Sequence, residues 1–201
     1  QTLSRALERG VSLITVDPRY SVPASKSQHW LPIKPGTDTA LLLAWMNVLI
    51  EEDLYDKAYI EQHAMGFDEL AQHVKQFPPE WAYMQTGLKP ALIRDTAREM
   101  AKNAPATLVH PGRHTTWYGD DTQRERAIAI LNALLGSWGW PGLIYFTVVR
   151  IHPEATARAS GVILAIEFFG HLGHVLQVLT GDAPFAALIA LRRPAAGFVQ
   201  F

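Results

Sequence analysis

Residues 13–38 read LITVDPRYSVPASKSQHWLPIKPGTD, and the fold of the chain turns on them. Val11 to Val16 is an apolar, β-branched run of the length expected for a buried strand. It stops at Asp17-Pro18-Arg19, where proline removes a ladder donor and opens a loop. Within the loop Trp30, Leu31 and Ile33 predict a second short extended segment ending at Pro35. Pro35-Gly36-Thr37-Asp38 then leads directly into an apolar-periodic helix, for which Thr37 or Asp38 is the expected N-cap. Strand, polar loop and helix follow in that order, with charged groups at the strand's carboxyl end. Open α/β sheets bind ligands there. The stretch lacks a glycine-rich phosphate fingerprint, which argues against an ordinary dinucleotide site.

Outward from this unit, residues 2–9 suit a preceding helix, with Leu3, Ala6 and Leu7 on one face and Gly10 closing it. Leu41, Leu42, Trp45, Val48 and Leu49 form the stripe of a helix over 39–52. Its acidic end, Glu51-Glu52-Asp53, opposes the helix dipole, so it is expected to fray or to turn into the next element. Asp56 is placed to cap a helix over 57–63, and Asp68 lies in a further short helix halted by Pro78-Pro79. The stretch 77–89 reads as loop, held down by Trp81 and Tyr83. A helix over 90–102 starts on Pro90 and carries Leu92, Ile93, Thr96, Ala97 and Met100, with Asn103 as a left-handed cap. Ala106 to Val109 is a second strand-like run, ending in His110-Pro111-Gly112-Arg113-His114. A helix over about 121–135 follows, bearing Ile128, Ile130, Leu131, Leu134 and Leu135. Strand-turn-helix thus occurs twice, which predicts an α/β fold with a parallel sheet.

Composition narrows the function classes. With 201 residues, 48% of them hydrophobic and 18% charged, the chain is long and apolar enough for a globular core. A net charge of −1 carries no polyanion signature, so nucleic acid is not an expected partner. The absence of cysteine rules out disulfides, thiolate zinc sites and any iron–sulfur cluster held by these residues. No signal segment is seen at the start of the chain, which reads as part of something longer.

The pattern VDPRYS, a loop, LPIKPGTD and then an apolar helix resembles the molybdopterin oxidoreductases of the dimethyl sulfoxide reductase family. Within it the chain looks most similar to catalytic subunits that reduce polysulfide, thiosulfate or tetrathionate. The resemblance continues through EWAYMQTGLKPALIRDTAREMA and covers about residues 3–142. It implies a Rossmann-like parallel-sheet segment, a partial central region over 1–142, and a tail over 143–201 of unassigned role. It also implies a molybdenum or tungsten bis-molybdopterin guanine dinucleotide cofactor. A 4Fe–4S cluster would belong to the parent chain, outside this cysteine-free segment. An iron–sulfur electron-transfer subunit, a membrane anchor subunit and a small sulfur-compound substrate are the implied partners, in anaerobic respiration. The location implied is periplasmic, or the outer face of the cytoplasmic membrane. Without the cysteine cluster, the metal-ligating loop and the cofactor-clamping domain, the isolated segment is expected to be inactive.

The resemblance also assigns residues. Asp38 would recognise guanine, with Gly36 and Thr37 lining the same pocket. A carboxylate suits guanine because it accepts two parallel N–H donors and offers none of its own. Helix capping is the competing role for Asp38, and the two are compatible. Asp17, Pro18, Arg19, Tyr20 and Ser21 match the family's other nucleotide-contacting segment, although Arg19 on local grounds reads as solvated or paired. Gly112-Arg113-His114-Thr115 would face the metal end of the cofactor and the substrate funnel. Arg113 would hold a sulfur oxyanion or polysulfide, His114 would donate or relay protons, and Thr115 would touch the pterin. Pairing of Arg113 and His114 with Asp120 or Asp121 is the bland alternative.

Past Leu143 the character changes. Phe146 to Ile151 reads as a strand and residues 162–180 as an apolar run broken by Glu167, His171, His174 and Gln177. That run approaches membrane-span length, but its glutamate and histidines argue against lipid exposure. His110 and His114 flank a Pro-Gly turn, which defeats the i, i+4 ligand geometry of a helix. Trp45, Trp81 and Trp138 read as packing residues. The competing function is a non-catalytic α/β nucleotide-binding or interaction module. A third possibility makes 143–201 a membrane- or partner-binding helix.

Overall fold

The structure is a computed structural model that describes residues 2–110, 121–138 and 197–200. The chain divides into two units, one of residues 1–137 with 194–201 and one of 138–193. The first contains all the elements below. The strand expected at Phe146–Ile151 and the apolar run at 162–180 lie outside the described residues.

A first helix, α1 (Thr2–Glu8), ends where the Val11 amide bonds back to the Ala6 carbonyl across Gly10, whose φ is +87°. Strands β1 (Ser12–Val16) and β2 (His29–Leu31) then pair in parallel, with Ile14 opposite His29 and Val16 opposite Leu31. The parallel pairing needs a crossover, and the turn of 3-10 helix at Ala24–Lys26 lies within it. Helix α2 (Asp38–Glu51) is the hub of the unit, with Leu41, Leu42, Ala44, Trp45, Met46, Val48 and Leu49 all buried. A helix apolar on nearly every side has to be wrapped by others. Helices α4 (Phe67–Val74), α5 (Pro79–Thr86), α6 (Pro90–Lys102) and α7 (Asp121–Leu134) all pack against it. The short α3 (Lys57–His63) is capped as expected, Asp56 Oδ1 accepting from the Tyr59 amide at 2.9 Å.

Two parallel ladders complete the sheet. Strand β4 (Gly197–Gln200) lies between β1 and β3 (Thr107–His110), giving the order β2-β1-β4-β3 with every pairing parallel. Leu13 and Leu108 both stand opposite Phe198. The α/β class and parallel sheet agree with the sequence reading. Residues 197–200, to which that reading gave no element, form a central strand.

Several local expectations differ from the structure. Residues 79–86, read as loop, form α5, because Pro79 starts a helix at its first position and Gly87 (φ +79°) stops it. Ala82 and Thr86 are its buried face, while Tyr83 stands about half exposed and does not pack the segment down. Asn103 is not left-handed. Its φ is −94°, and its side-chain amide donates to the Glu99 carbonyl at 2.9 Å. Ile130, assigned to the apolar stripe of α7, is exposed, and Asn132 is buried in its stead. At the acidic end of α2 the chain turns directly. Asp53 takes a left-handed φ of +58°, and the Leu54 amide bonds to the Leu49 carbonyl at 2.8 Å. Among the described residues no helix is long and apolar enough to cross a membrane.

Candidate functional site

All four strands run the same way, so the loops after Val16, Leu31 and His110 leave from one edge of the sheet. That edge collects the residues singled out in the sequence after the first two strands.

After β1, Asp17 organises its own loop. Its Oδ1 accepts from the Arg19 amide at 2.8 Å, closing a side-chain turn around Pro18. The Asp17 amide bonds to the Leu31 carbonyl at 3.2 Å, and its carbonyl accepts from the Trp30 indole at 2.9 Å. The start of the loop is therefore anchored to β2 by main chain and side chain together. Tyr20 sets its ring edge-on to Trp30, centroids 4.8 Å apart, yet keeps 65% of its surface exposed. Arg19 reaches only 4.0 Å from the Asp17 carboxylate and is almost fully solvated, a geometry worth little as an ion pair. Ser21 differs from its neighbours: its hydroxyl oxygen is buried and has no hydrogen-bond partner among the described residues. A buried hydroxyl without a partner is a minority state in proteins, and this one stands within the candidate loop. Thr15 Oγ1, on β1 just before the loop, is in the same condition.

After β2 the chain is pinned and then opened. The Lys34 amide donates to the Thr86 carbonyl of α5 at 3.1 Å, and the Lys34 carbonyl accepts from the Thr37 hydroxyl at 2.7 Å. Thr37 occupies the N-cap position of α2 but turns its hydroxyl backward, so the expected side-chain cap by Thr37 is not made. Gly36 has φ +78°, and a Cβ built there would meet nothing within 4 Å among the described residues. The turn is shaped by backbone conformation, and among the described residues the space beside it is open.

Asp38, the first residue of α2, does not cap by its side chain either. Its Oδ2 lies 3.3 Å from Nη1 of Arg124, on the first turn and a half of α7. Both side chains are largely buried, 19% and 16% exposed. The pair links the amino-terminal ends of α2 and α7, which places both helix starts together. Among the described residues Asp38 Oδ1 has no partner.

Asp17, Pro18, Arg19, Tyr20 and Ser21 therefore follow one strand and Gly36, Thr37 and Asp38 its neighbour, on a shared edge. His110 ends β3, and the turn that follows it, with Arg113, His114 and Thr115, lies outside the described residues. No group of three or more histidine, cysteine or acidic side chains is placed to hold a metal among the described residues. Two largely buried polar residues of α7, one of them in contact with Asp38, escaped the sequence reading. Arg124 carried a usable signal, since a cation in the first turns of a helix opposes the dipole and invites the question of what holds it. Asn132, inside an apolar stripe, carried a weaker one.

Arranged this way, and counting only the described residues, the edge offers a carboxylate with one open oxygen, a buried hydroxyl, an open glycine turn and an exposed aromatic ring. These are acceptors, a donor and a stacking surface, the needs of a nucleotide-bearing cofactor rather than of a bare metal ion. The sequence model of the molybdopterin oxidoreductases matches residues 1–186, well past residue 142. The chain is 40% identical over 143 residues to the molybdopterin-containing subunit of thiosulfate reductase from Salmonella typhimurium, covering 71% of this chain and 19% of that one. It is 38% identical over 136 residues to acetylene hydratase of Syntrophotalea acetylenica, covering 68% of this chain and 18% of the other. Among solved structures, acetylene hydratase from Pelobacter acetylenicus superposes with a TM-score of 0.65 at 37% identity, over 68% of this chain and 19% of that one. The chain spans about one fifth of the length of these relatives. Family membership brings with it a molybdenum or tungsten pterin cofactor, and the polar edge fits the organic part of such a group. A parallel α/β sheet with this carboxyl edge, matched to that family over most of its length, makes the chain a member of the molybdopterin oxidoreductase family.

Proposed function

We propose that this chain is the central segment of an oxidoreductase catalytic subunit, and that its sheet edge binds one guanine nucleotide arm of a bis-molybdopterin guanine dinucleotide. The observation that carries the reading is Asp38, a largely buried carboxylate beside the open turn at Gly36 with one oxygen unengaged among the described residues. In this reading Asp38 accepts the ring N–H and exocyclic amine of guanine, Gly36 and Thr37 line the base, and Asp17–Ser21 contact the remainder of the nucleotide, with Pro18 shaping that loop. Ser21 supplies its buried hydroxyl, and Arg19, solvated in the free chain, is available to a phosphate. Bound there, the cofactor supplies two-electron redox chemistry at its metal, while these residues orient it. Arg113 and His114, with Thr115 beside the pterin, complete the funnel on the third loop.

The substrate class we infer is an inorganic sulfur compound: polysulfide, thiosulfate or tetrathionate. The similarity to a thiosulfate reductase subunit supports it, and so does the Gly112-Arg113-His114 turn, whose arginine suits a sulfur oxyanion. In the same proposal the parent carries a 4Fe–4S cluster, delivers electrons through an iron–sulfur subunit with a membrane anchor, and works in anaerobic respiration on the periplasmic or outer face of the cytoplasmic membrane.

The base reading is tested by titrating guanosine monophosphate into the chain and into Asp38→Asn. Asparagine replaces an acceptor by an N–H donor that faces guanine's own donors, so affinity is expected to fall about tenfold or more. Equal binding by the two proteins would overturn the guanine assignment. For substrate class, the loaded full-length parent is assayed against thiosulfate, tetrathionate, polysulfide, dimethyl sulfoxide and formate. Turnover confined to the last two would overturn the sulfur assignment.

A further inference from the structure

A helix presents the positive end of its dipole at its amino terminus, where anions are stabilised and cations are not. Asp38 on α2 obeys that rule. Arg124, the fourth residue of α7, violates it, and does so with a side chain that is 16% exposed. A guanidinium buried at the unfavourable end of its own helix requires a compensating anion, and Asp38, 86 residues earlier, meets it at 3.3 Å.

The contact engages a single oxygen. A carboxylate has about four lone-pair positions, two on each oxygen. Arg124 Nη1 occupies one on Oδ2, while Oδ1 has no partner among the described residues. A guanine ring, with N1–H and the 2-amino group side by side, needs one position on each oxygen. Both contacts can therefore coexist on one carboxylate.

We propose that Arg124 is the positioning residue for Asp38 in guanine recognition, holding the carboxylate in one rotamer so that its free lone pairs face the base as a pair. The proposal rests on the guanine reading of Asp38 and adds the residue that makes that carboxylate selective. Left to itself, a first-turn aspartate swings toward the free amides of its own helix, as N-terminal carboxylates commonly do. Arg124 draws it outward toward α7. A fixed carboxylate discriminates on the number of donors a base presents in line. A loose one satisfies one donor as well as two.

The test compares the chain with Arg124→Met, Arg124→Lys and Asp38→Asn, each checked by thermal melting and titrated with guanosine, inosine and adenosine monophosphates. Inosine lacks only the 2-amino donor, so the guanosine-to-inosine affinity ratio reports paired recognition. Loss of Arg124 as methionine is expected to weaken guanosine monophosphate about tenfold and to bring that ratio close to one. Lysine, keeping the charge without the planar fork, is expected to restore part of both. A variant that melts lower but keeps the three-nucleotide ranking would show that Arg124 only staples α2 to α7, and would overturn the proposal. Tighter guanosine binding by Arg124→Met would overturn it too, as evidence that the arginine competes with the base. Should the methionine variant not fold, Arg124→Gln reads the same ratio. If Asp38→Asn binds as the unaltered chain does, the guanine reading itself fails and takes this inference with it. Loss on Asp38→Asn with no change on Arg124→Met removes the inference alone.

Discussion

Asn132 of α7 brackets Val109 of β3: its Oδ1 accepts from the Val109 amide at 3.0 Å and its Nδ2 donates to the Val109 carbonyl at 3.0 Å. The same Nδ2 reaches the Ile128 carbonyl at 3.1 Å. In the sheet β3 pairs only with β4 among the described residues, so one side of it would otherwise carry unpaired backbone groups. The asparagine stands in for a neighbouring strand, and it is buried. It thereby fixes the height of β3, and with it the start of the loop that follows His110.

Asn132→Ala is expected to lower stability by about 2–4 kcal/mol, since two buried backbone groups lose their partners at once. Chemical denaturation should show a reduced midpoint. Asn132→Asp should be nearly as damaging, because a carboxylate cannot donate to the Val109 carbonyl. A midpoint unchanged by either substitution would refute the bracket.

Gly36 and Gly136 form a contrast that isolates space from conformation. Both have positive φ, +78° and +63°, so alanine strains the backbone at either by about 1 kcal/mol. At Gly36 a Cβ meets nothing within 4 Å among the described residues, whereas at Gly136 it would clash with the Asp56 carboxylate that caps α3. Gly136→Ala is therefore expected to cost at least twice what Gly36→Ala costs, read from paired thermal melts. If the open space at Gly36 belongs to the cofactor, Gly36→Ala should weaken guanosine monophosphate binding out of proportion to its melt.

Trp45 is fully buried on α2, and its indole donates to the Thr96 hydroxyl of α6 at 2.9 Å. That hydroxyl accepts the bond while donating to its own helix, at 2.8 Å to the Leu92 carbonyl. Trp45→Ala should cost about 3–5 kcal/mol through the cavity it leaves. Trp45→Phe removes only the bond and some volume, and should cost about 1–2 kcal/mol. Far-ultraviolet circular dichroism, which does not depend on the replaced indole, is the measurement to use.

Glu52 receives a two-pronged contact from Arg98, 2.8 Å to Oε2 and 2.9 Å to Oε1, joining the end of α2 to α6. The hydrogen bonds from Arg98, against a smaller opposing effect of burial, hold the Glu52 carboxyl below the usual carboxylate range. Glu80, bonded by Arg94, is lowered for the same reason. A lowered carboxyl contributes stability in full above its unfolded value, about 4.3, and loses it as pH falls through the folded value. The stability profile of Glu52→Gln should thus run below that of the unaltered chain at pH 6 and converge with it toward pH 3. The expected gap is below about 1 kcal/mol, because the pair is partly solvated.

Local chemistry was sufficient for much of the chain. The strand at 12–16 and the helices at 38–51, 57–63, 90–102 and 121–134 follow from runs, periodicity and proline placement. So does the Asp56 cap, whose partner is three residues away. The helix at 79–86 was masked by its aromatic residues and paired prolines, although Pro79 and Gly87 are proper start and stop signals. The candidate loops were legible as motifs at the ends of strands, together with the residue types they carry.

Other features depend on residues far apart in the chain, and only the tertiary structure decided them. The strand at 197–200 has no periodicity of its own and exists because ladders on both sides, from β1 and β3, satisfy its backbone. Arg124 meets Asp38 across 86 residues, and Asn132 meets Val109 across 23. A sequence states which groups are available and how the nearest few are spaced. Which buried charge finds a counter-charge, and which strand edge finds a substitute partner, is settled by burial, since inside the fold every charge and backbone group must be satisfied by whatever the packing brings near.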